Sequence, residues 1–127
     1  MRIEHVAMWV QDLEGMRDFY GRYFNGRAND KYTNPRTGFS PYFITFASGA
    51  RLELMHRADI PANLNNGEAQ GLIHLAMATG SREMVNQLTE LLRKDGYQVV
   101  GEPRTTGDGY YESVVLDPEK NRIEITI

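Results

Sequence analysis

Apolar and polar residues alternate with a period of two from the start of the chain. Val6, Met8 and Val10 fall on one face and His5, Ala7 and Trp9 on the other, which predicts a strand over 3–10. From Leu13 the period lengthens to that of a helix. Leu13, Met16, Phe19, Tyr20, Tyr23 and Phe24 form one stripe, with Asp12 placed to cap it and Asn25-Gly26 to end it. Residues 27–33 are read as a strand and Asn34-Pro35-Arg36-Thr37-Gly38 as a turn. Tyr42–Ala47 and Arg51–His56 are the next strands, separated by Ser48-Gly49. On the second of these, Leu52 and Leu54 share one face while Arg51, Glu53 and Met55 share the other. Periodicity then lapses from Ala58 to Gly71.

The second half replays this order. Leu72–Thr79 reads as a strand with Ile73, Leu75 and Met77 opposite His74, Ala76 and Ala78. Ser81 is an N-cap, and Met84, Val85, Leu88, Leu91 and Leu92 make a helical stripe closed by Gly96. Tyr97–Val100 is a short strand, Gly101–Gly109 a loop containing Pro103, and Tyr110–Leu116 a strand. Asp117-Pro118-Glu119-Lys120-Asn121 turns into the last strand, Arg122–Ile127. Each half is thus β-α-β-β-β, and neither alone has a second layer broad enough to cover both faces of its sheet. The expected fold is α+β: two tandem βαβββ units, about 1–60 and 71–127, linked by 57–71. They would form one domain over 1–127, a curved eight-stranded mixed sheet with the helices on its outer face.

The repetition extends to individual residues. His5-Val6-Ala7-Met8 returns as His74-Leu75-Ala76-Met77, and Arg51-Leu52-Glu53-Leu54 as Arg122-Ile123-Glu124-Ile125. On all four strands the apolar residues take one face and the His or Glu takes the other. With helices over the apolar faces, His5, Glu53, His74 and Glu124 point to the concave side. Unpaired carboxylates in a partly dry cup are costly, and a divalent cation removes that cost. Two imidazoles and two carboxylates suit Ni, Co, Mn, Fe or Zn, and ligand type alone does not choose among them. By alternation His56 and Glu4 lie on the opposite face from their neighbours Glu53 and His5, and both are left out of the site.

Composition narrows the picture further. With 127 residues, 41% hydrophobic and 24% charged, the chain suits one globular domain with a real core. A net charge of −3 offers no basic footprint for nucleic acid. The chain has no cysteine, which excludes disulfides, thiolate ligands and a Cys nucleophile. No apolar run reaches membrane-spanning length and no export segment is read, so cytoplasm is the default expectation.

The early His, the Leu52-Glu53-Leu54 strand, the Gly71–Ala76 segment and the closing Asp117-Pro118-x-x-Asn121-Arg122-Ile123-Glu124-Ile125 resemble the vicinal oxygen chelate superfamily. This is the glyoxalase–bleomycin resistance–dioxygenase family, and the glyoxalase I (lactoylglutathione lyase) type is the most similar. The resemblance covers essentially the whole chain. It implies His5, Glu53, His74 and Glu124 as four ligands of one divalent metal per site. Glu at position 53 favours the glyoxalase type over relatives with two His and one Glu, or with Gln at that position. It further implies a lyase or isomerase acting on a hemithioacetal or similar vicinal-oxygen substrate, by proton abstraction and enediolate stabilisation. Glu124 would be the base and Glu53 its partner on the opposite side.

The substrate side departs from that family. Trp9 stands where a basic residue is common and Arg57 where an Asn is, so the resemblance does not extend to a glutathione site. Trp9 with Tyr42 or Phe43, Tyr110 and Tyr111 is read as an aromatic substrate pocket. Arg57, Arg36 and Arg104 are candidates to meet an anion. The competing functions are a non-catalytic small-molecule or antibiotic-binding resistance protein, and another metal-dependent reaction: epimerisation, thiol transfer or dioxygenation. The expected partners are a small molecule, in one form a thiol adduct, and a second copy of the chain in a homodimer.

Overall fold

The computed structural model describes residues 1–31, 33–35, 40–62 and 70–127, and the chain divides into two units, Met1–Leu64 and Asn65–Ile127. The first unit contains β1 (His5–Trp9), α1 (Leu13–Phe24), β2 (Arg27–Ala28), β3 (Ser40–Thr45) and β4 (Arg51–His56). Its sheet has the order β1-β4-β3-β2, with β1 parallel to β4 and the other pairs antiparallel. The Asp12 carboxylate accepts from Gly15 N at 2.9 Å, which satisfies one free donor of the first helical turn. Leu13, Met16, Phe19, Tyr20 and Tyr23 are buried on the side of α1 that meets β3 and β4, where Ile44, Leu52 and Leu54 are buried too. Asn25 ends the helix in the left-handed conformation at φ 55°. Gly26 follows because a Cβ there would sit 2.4 Å from Ile44 Cγ2 and 3.0 Å from the Tyr20 carbonyl.

The second unit repeats the plan with β5 (Leu75–Ala78), α2 (Arg82–Lys94), β6 (Val99–Thr105), β7 (Tyr111–Leu116) and β8 (Arg122–Thr126). Its sheet order is β5-β8-β7-β6, with β5 parallel to β8. Ser81 caps α2 through its hydroxyl, which accepts from Met84 N. The buried line of α2 is Val85, Thr89 and Leu92, narrower than the apolar stripe, because Met84 and Leu91 remain exposed. Thr89 is buried without penalty: its hydroxyl donates to the Val85 carbonyl or shares a proton with Ser113 Oγ, both at 2.6 Å.

Several boundaries differ from the sequence expectation. Residues 101–105, expected as loop, continue β6 through Pro103. This edge strand tolerates a residue with no N–H because its register shifts between Gly101 and Arg104. Strand β2 has two residues where 27–33 was expected, and β5 starts at Leu75, leaving Leu72 and Ile73 exposed. The turn expected at Asn34–Gly38 lies partly outside the described residues, Arg36 included, and so does 63–69 of the expected linker. Among the described residues no helix is long and apolar enough to cross a membrane.

The β7–β8 turn explains the most specific stretch of the sequence. Asp117 is 1% exposed. Its Oδ1 accepts from the backbone N–H of Glu119 and of Asn121, and its Oδ2 from Asn121 Nδ2, each at 2.9 Å. Asp117 N donates in turn to the Asn121 carbonyl. Asp117 and Asn121 are therefore scaffold residues. They fix the register that sets Leu116 opposite Arg122 and Val114 opposite Glu124.

Candidate metal centre

In each unit the His lies at or just before the start of the first strand, and the Glu lies on the neighbouring inner strand. In the first, His5 is opposite Arg51, Ala7 is opposite Glu53, and Glu53 is two residues along on the same face. In the second, Ala76 is opposite Glu124 and Leu75 is opposite Ile123, so the same register carried two residues back from Ala76 sets His74 level with Arg122. An alanine facing each Glu leaves room for the His to reach across diagonally. His5 Nε2 lies 3.6 Å from Glu53 Oε2, and His74 Nε2 lies 3.4 Å from Glu124 Oε2. The Glu side chains are only 14% and 16% exposed, so each depends on a nearby cation or proton.

These pairs fit a divalent cation. A His nitrogen and a carboxylate oxygen, both about 2.1 Å from one ion at a tetrahedral angle, are ~3.4 Å apart. Neither unit alone brings together three or more His, Asp or Glu side chains able to hold an ion, among the described residues. Each unit holds one His–Glu pair.

The two half-sites are not identical. Glu4 precedes β1, so strand alternation does not govern its side chain, and the expectation that it lies away from His5 is corrected. Its Oε2 accepts from His5 Nδ1 at 2.6 Å, and its Oε1 accepts from Arg51 Nε at 2.9 Å and from Arg51 Nη2. An ionised carboxylate only accepts, so His5 Nδ1 donates to Glu4, which leaves Nε2 as the ring nitrogen turned towards Glu53. The Glu4 carboxyl is held below the usual range by the His5 hydrogen bond first and by Arg51 next. The Arg51 guanidinium also lies over the Phe43 ring at 4.4 Å, and Phe43 meets His5 edge to face at 5.6 Å. Ile73 occupies the place of Glu4 in the second unit, where no carboxylate reaches His74 Nδ1 among the described residues. Replacing Glu4 by Ala should weaken Ni²⁺ binding about tenfold while the helical circular dichroism stays unchanged. Calorimetric titration reads that outcome, and unaltered affinity would remove Glu4 from the site.

Glu124 has a carboxyl neighbour that the sequence reading missed. Glu112 lies on the β7 face that carries Val114, the residue opposite Glu124, and its side chain is 13% exposed. Burial, foremost, pushes the Glu124 carboxyl above the ordinary range. His74 opposes the shift, while Glu112, through charge and a hydrogen bond, and Asp108 add to it. Counting two residues back from Val114 would have found Glu112, once the β7–β8 register was known.

The expected substrate residues divide. Arg57 stacks over Trp9 at 5.3 Å and pairs with Asp59, so these two are brought together on the first unit. Phe43 rather than Tyr42 accompanies His5, because Tyr42 is buried with its hydroxyl between Glu14 and Arg17. Tyr110 is exposed in the β6–β7 turn. Tyr111 shares a face with Ser113 and turns towards α2, where its hydroxyl donates to Asn86 Oδ1 at 2.8 Å and Arg82 covers its ring. Arg104 is taken by Glu112 at 3.6 Å. His56 Nδ1 meets the Val10 carbonyl, which ties β4 to the end of β1.

Comparison with known proteins places these observations. Residues 2–125 match the family model described as Glyoxalase/Bleomycin resistance protein/Dioxygenase superfamily. An uncharacterized protein of Bacillus subtilis (strain 168), YqjT, is 27% identical, covering 97% of this chain and 96% of that protein. Among solved structures, a glyoxylase/bleomycin resistance protein/dioxygenase domain from Frankia sp. EAN1pec superposes with a TM-score of 0.82 at 18% identity, covering 98% of this chain and 95% of the other. Glyoxalase I from Zea mays gives a TM-score of 0.79 at 22% identity, covering 98% of this chain, which spans only 44% of that protein. At these identities the structures establish the fold.

Proposed function

Because the chain belongs to the glyoxalase/bleomycin resistance protein/dioxygenase superfamily, we propose that it is a metal-dependent lyase or isomerase of the glyoxalase I type. Its substrate in this reading is a hemithioacetal or a similar small molecule with oxygens on adjacent carbons. The observation that carries the proposal is the pair of His–Glu contacts at matching places in the two units, at 3.6 and 3.4 Å. His5, Glu53, His74 and Glu124 would hold one divalent ion per site, drawn from Ni, Zn, Co, Mn or Fe. Once bound, that ion supplies Lewis-acid polarisation of the substrate oxygens.

The chain's own groups do the rest. Glu124 takes the proton from the carbon beside the carbonyl and returns it to the adjacent carbon. A carboxyl whose proton affinity is raised by burial is a stronger base than an exposed glutamate, and so suits that transfer. Glu53 stays beside His5 as the counterpart carboxylate. Trp9, with Arg57 over its ring, supplies an apolar wall and a cation at the rim of the first unit.

Ni²⁺ titration of the purified chain, followed by assays of methylglyoxal with a panel of thiols, tests the proposal, and sedimentation of the loaded protein reads the expected homodimer. The expected result is about one metal per site and isomerisation with at least one thiol, lost on chelation and restored by metal. Absence of divalent binding under every loading condition would end it.

A further inference from the structure

Arg51 and Arg122 occupy the same position in the two units, two residues before the Glu on the same strand face. Their surroundings differ. The carboxylate of Glu4 takes up Arg51, whereas Ile73 stands at the matching position of the second unit's sequence, where it has no carboxylate to offer. Arg122 Nε is buried and has no hydrogen-bond partner among the described residues, and no ion pair to its guanidinium is present among them. A buried N–H left without an acceptor is costly.

We propose that Arg122 is the anchor for a carboxylate carried by the substrate. The proposal rests on the functional reading above for the place of the reacting carbon, which Glu124 marks. Arg122 and Glu124 are about 7 Å apart along β8, on one face. An acid with its carboxylate close to the vicinal oxygens can therefore meet both residues. The nearby carboxyls of Glu124 and Glu112 discriminate by charge. A monoanionic carboxylate is tolerated beside them, whereas a phosphate dianion meets stronger repulsion. The internal comparison supports this reading: the arginine that needs no ligand has a glutamate of its own, and the one that lacks a glutamate is left with a free donor.

Lactate is a suitable probe, with lactamide as its uncharged counterpart and inorganic phosphate as the other anion. The metal-free chain is titrated with each while the arginine Nε–H resonances are followed by NMR. A buried Nε–H exchanges slowly with water and so remains visible. Lactate should move the Arg122 resonance and leave that of Arg51 in place. Lactamide should leave both in place, and phosphate should bind at least tenfold more weakly than lactate.

Ile73→Glu rebuilds the arrangement of the first unit around Arg122 at an exposed position, and should cut lactate affinity at least tenfold without loss of fold. Arg122→Gln should do the same. An unmoved Arg122 resonance, phosphate binding tighter than lactate, or undiminished lactate affinity in Ile73→Glu would each overturn the proposal. A separate Ni²⁺ titration distinguishes the two readings. Failure to bind metal strikes the proposed reaction, while lactate binding to the metal-free chain still decides the role of Arg122.

Discussion

Glu124→Gln should lower turnover of the metal-loaded chain with its best thiol–methylglyoxal adduct by about a thousandfold. Glutamine keeps the size of the side chain and an oxygen able to act as a ligand, but at neutral pH it cannot take a proton. The expected signature is therefore a collapse of kcat, and of exchange between substrate and deuterated solvent, with a much smaller change in metal affinity. Glu53→Gln should retain more activity, since Glu53 is cast as the counterpart. A larger loss in Glu53→Gln than in Glu124→Gln would reverse the assignment.

The pH behaviour has a definite sign. In the metal-free chain the Glu124 pKa is raised above its unfolded value. The stability it contributes is full below the unfolded value and is lost as pH rises through the folded value. Metal competes with protons for that carboxylate, so as pH is lowered Ni²⁺ affinity should begin to fall at a higher pH than an unshifted glutamate would give. Titration between pH 5 and 8 checks this.

Asp117→Ala should destabilise the second unit by about 3 kcal/mol, because three donors lose a buried, charged acceptor at once. The readout is local. Amide hydrogen exchange in β7 and β8 should quicken about a hundredfold, while β3 and β4 of the first unit stay protected. Metal affinity should fall too, because the turn sets where Glu124 stands relative to Ala76. Exchange unchanged in β8 would show that the turn holds without Asp117.

The parts of the molecule legible in the sequence are those governed by period. The helical stripe of α1 and the alternation of Leu52/Leu54 against Glu53 depend only on which face an element buries, and both helix caps follow from the need to satisfy free backbone donors. The pairing of His5 with Glu53 and of His74 with Glu124 was legible for the same reason. What escaped depended on contacts between elements. Glu4 was misread because alternation was applied to a residue outside the strand. Thr89 was overlooked because an apolar count passes over a hydroxyl that finds a buried partner in Ser113. Glu112 needed the β7–β8 register, and Tyr111 needed the knowledge that α2 covers its face. Pro103 argued for a loop, and the edge position of β6 overrode it.

The parallel pairing of β1 with β4, and of β5 with β8, has a kinetic consequence. Parallel strands cannot be joined by a tight turn, so the helix and two further strands of each unit intervene between its His and its Glu. Closing so long a loop is entropically expensive, and contacts of this sequence separation form slowly. Each His–Glu pair therefore comes together only as its unit completes its fold. Nascent or partly unfolded chains offer no paired His and Glu, so the metal binding proposed above would wait for units that have already closed.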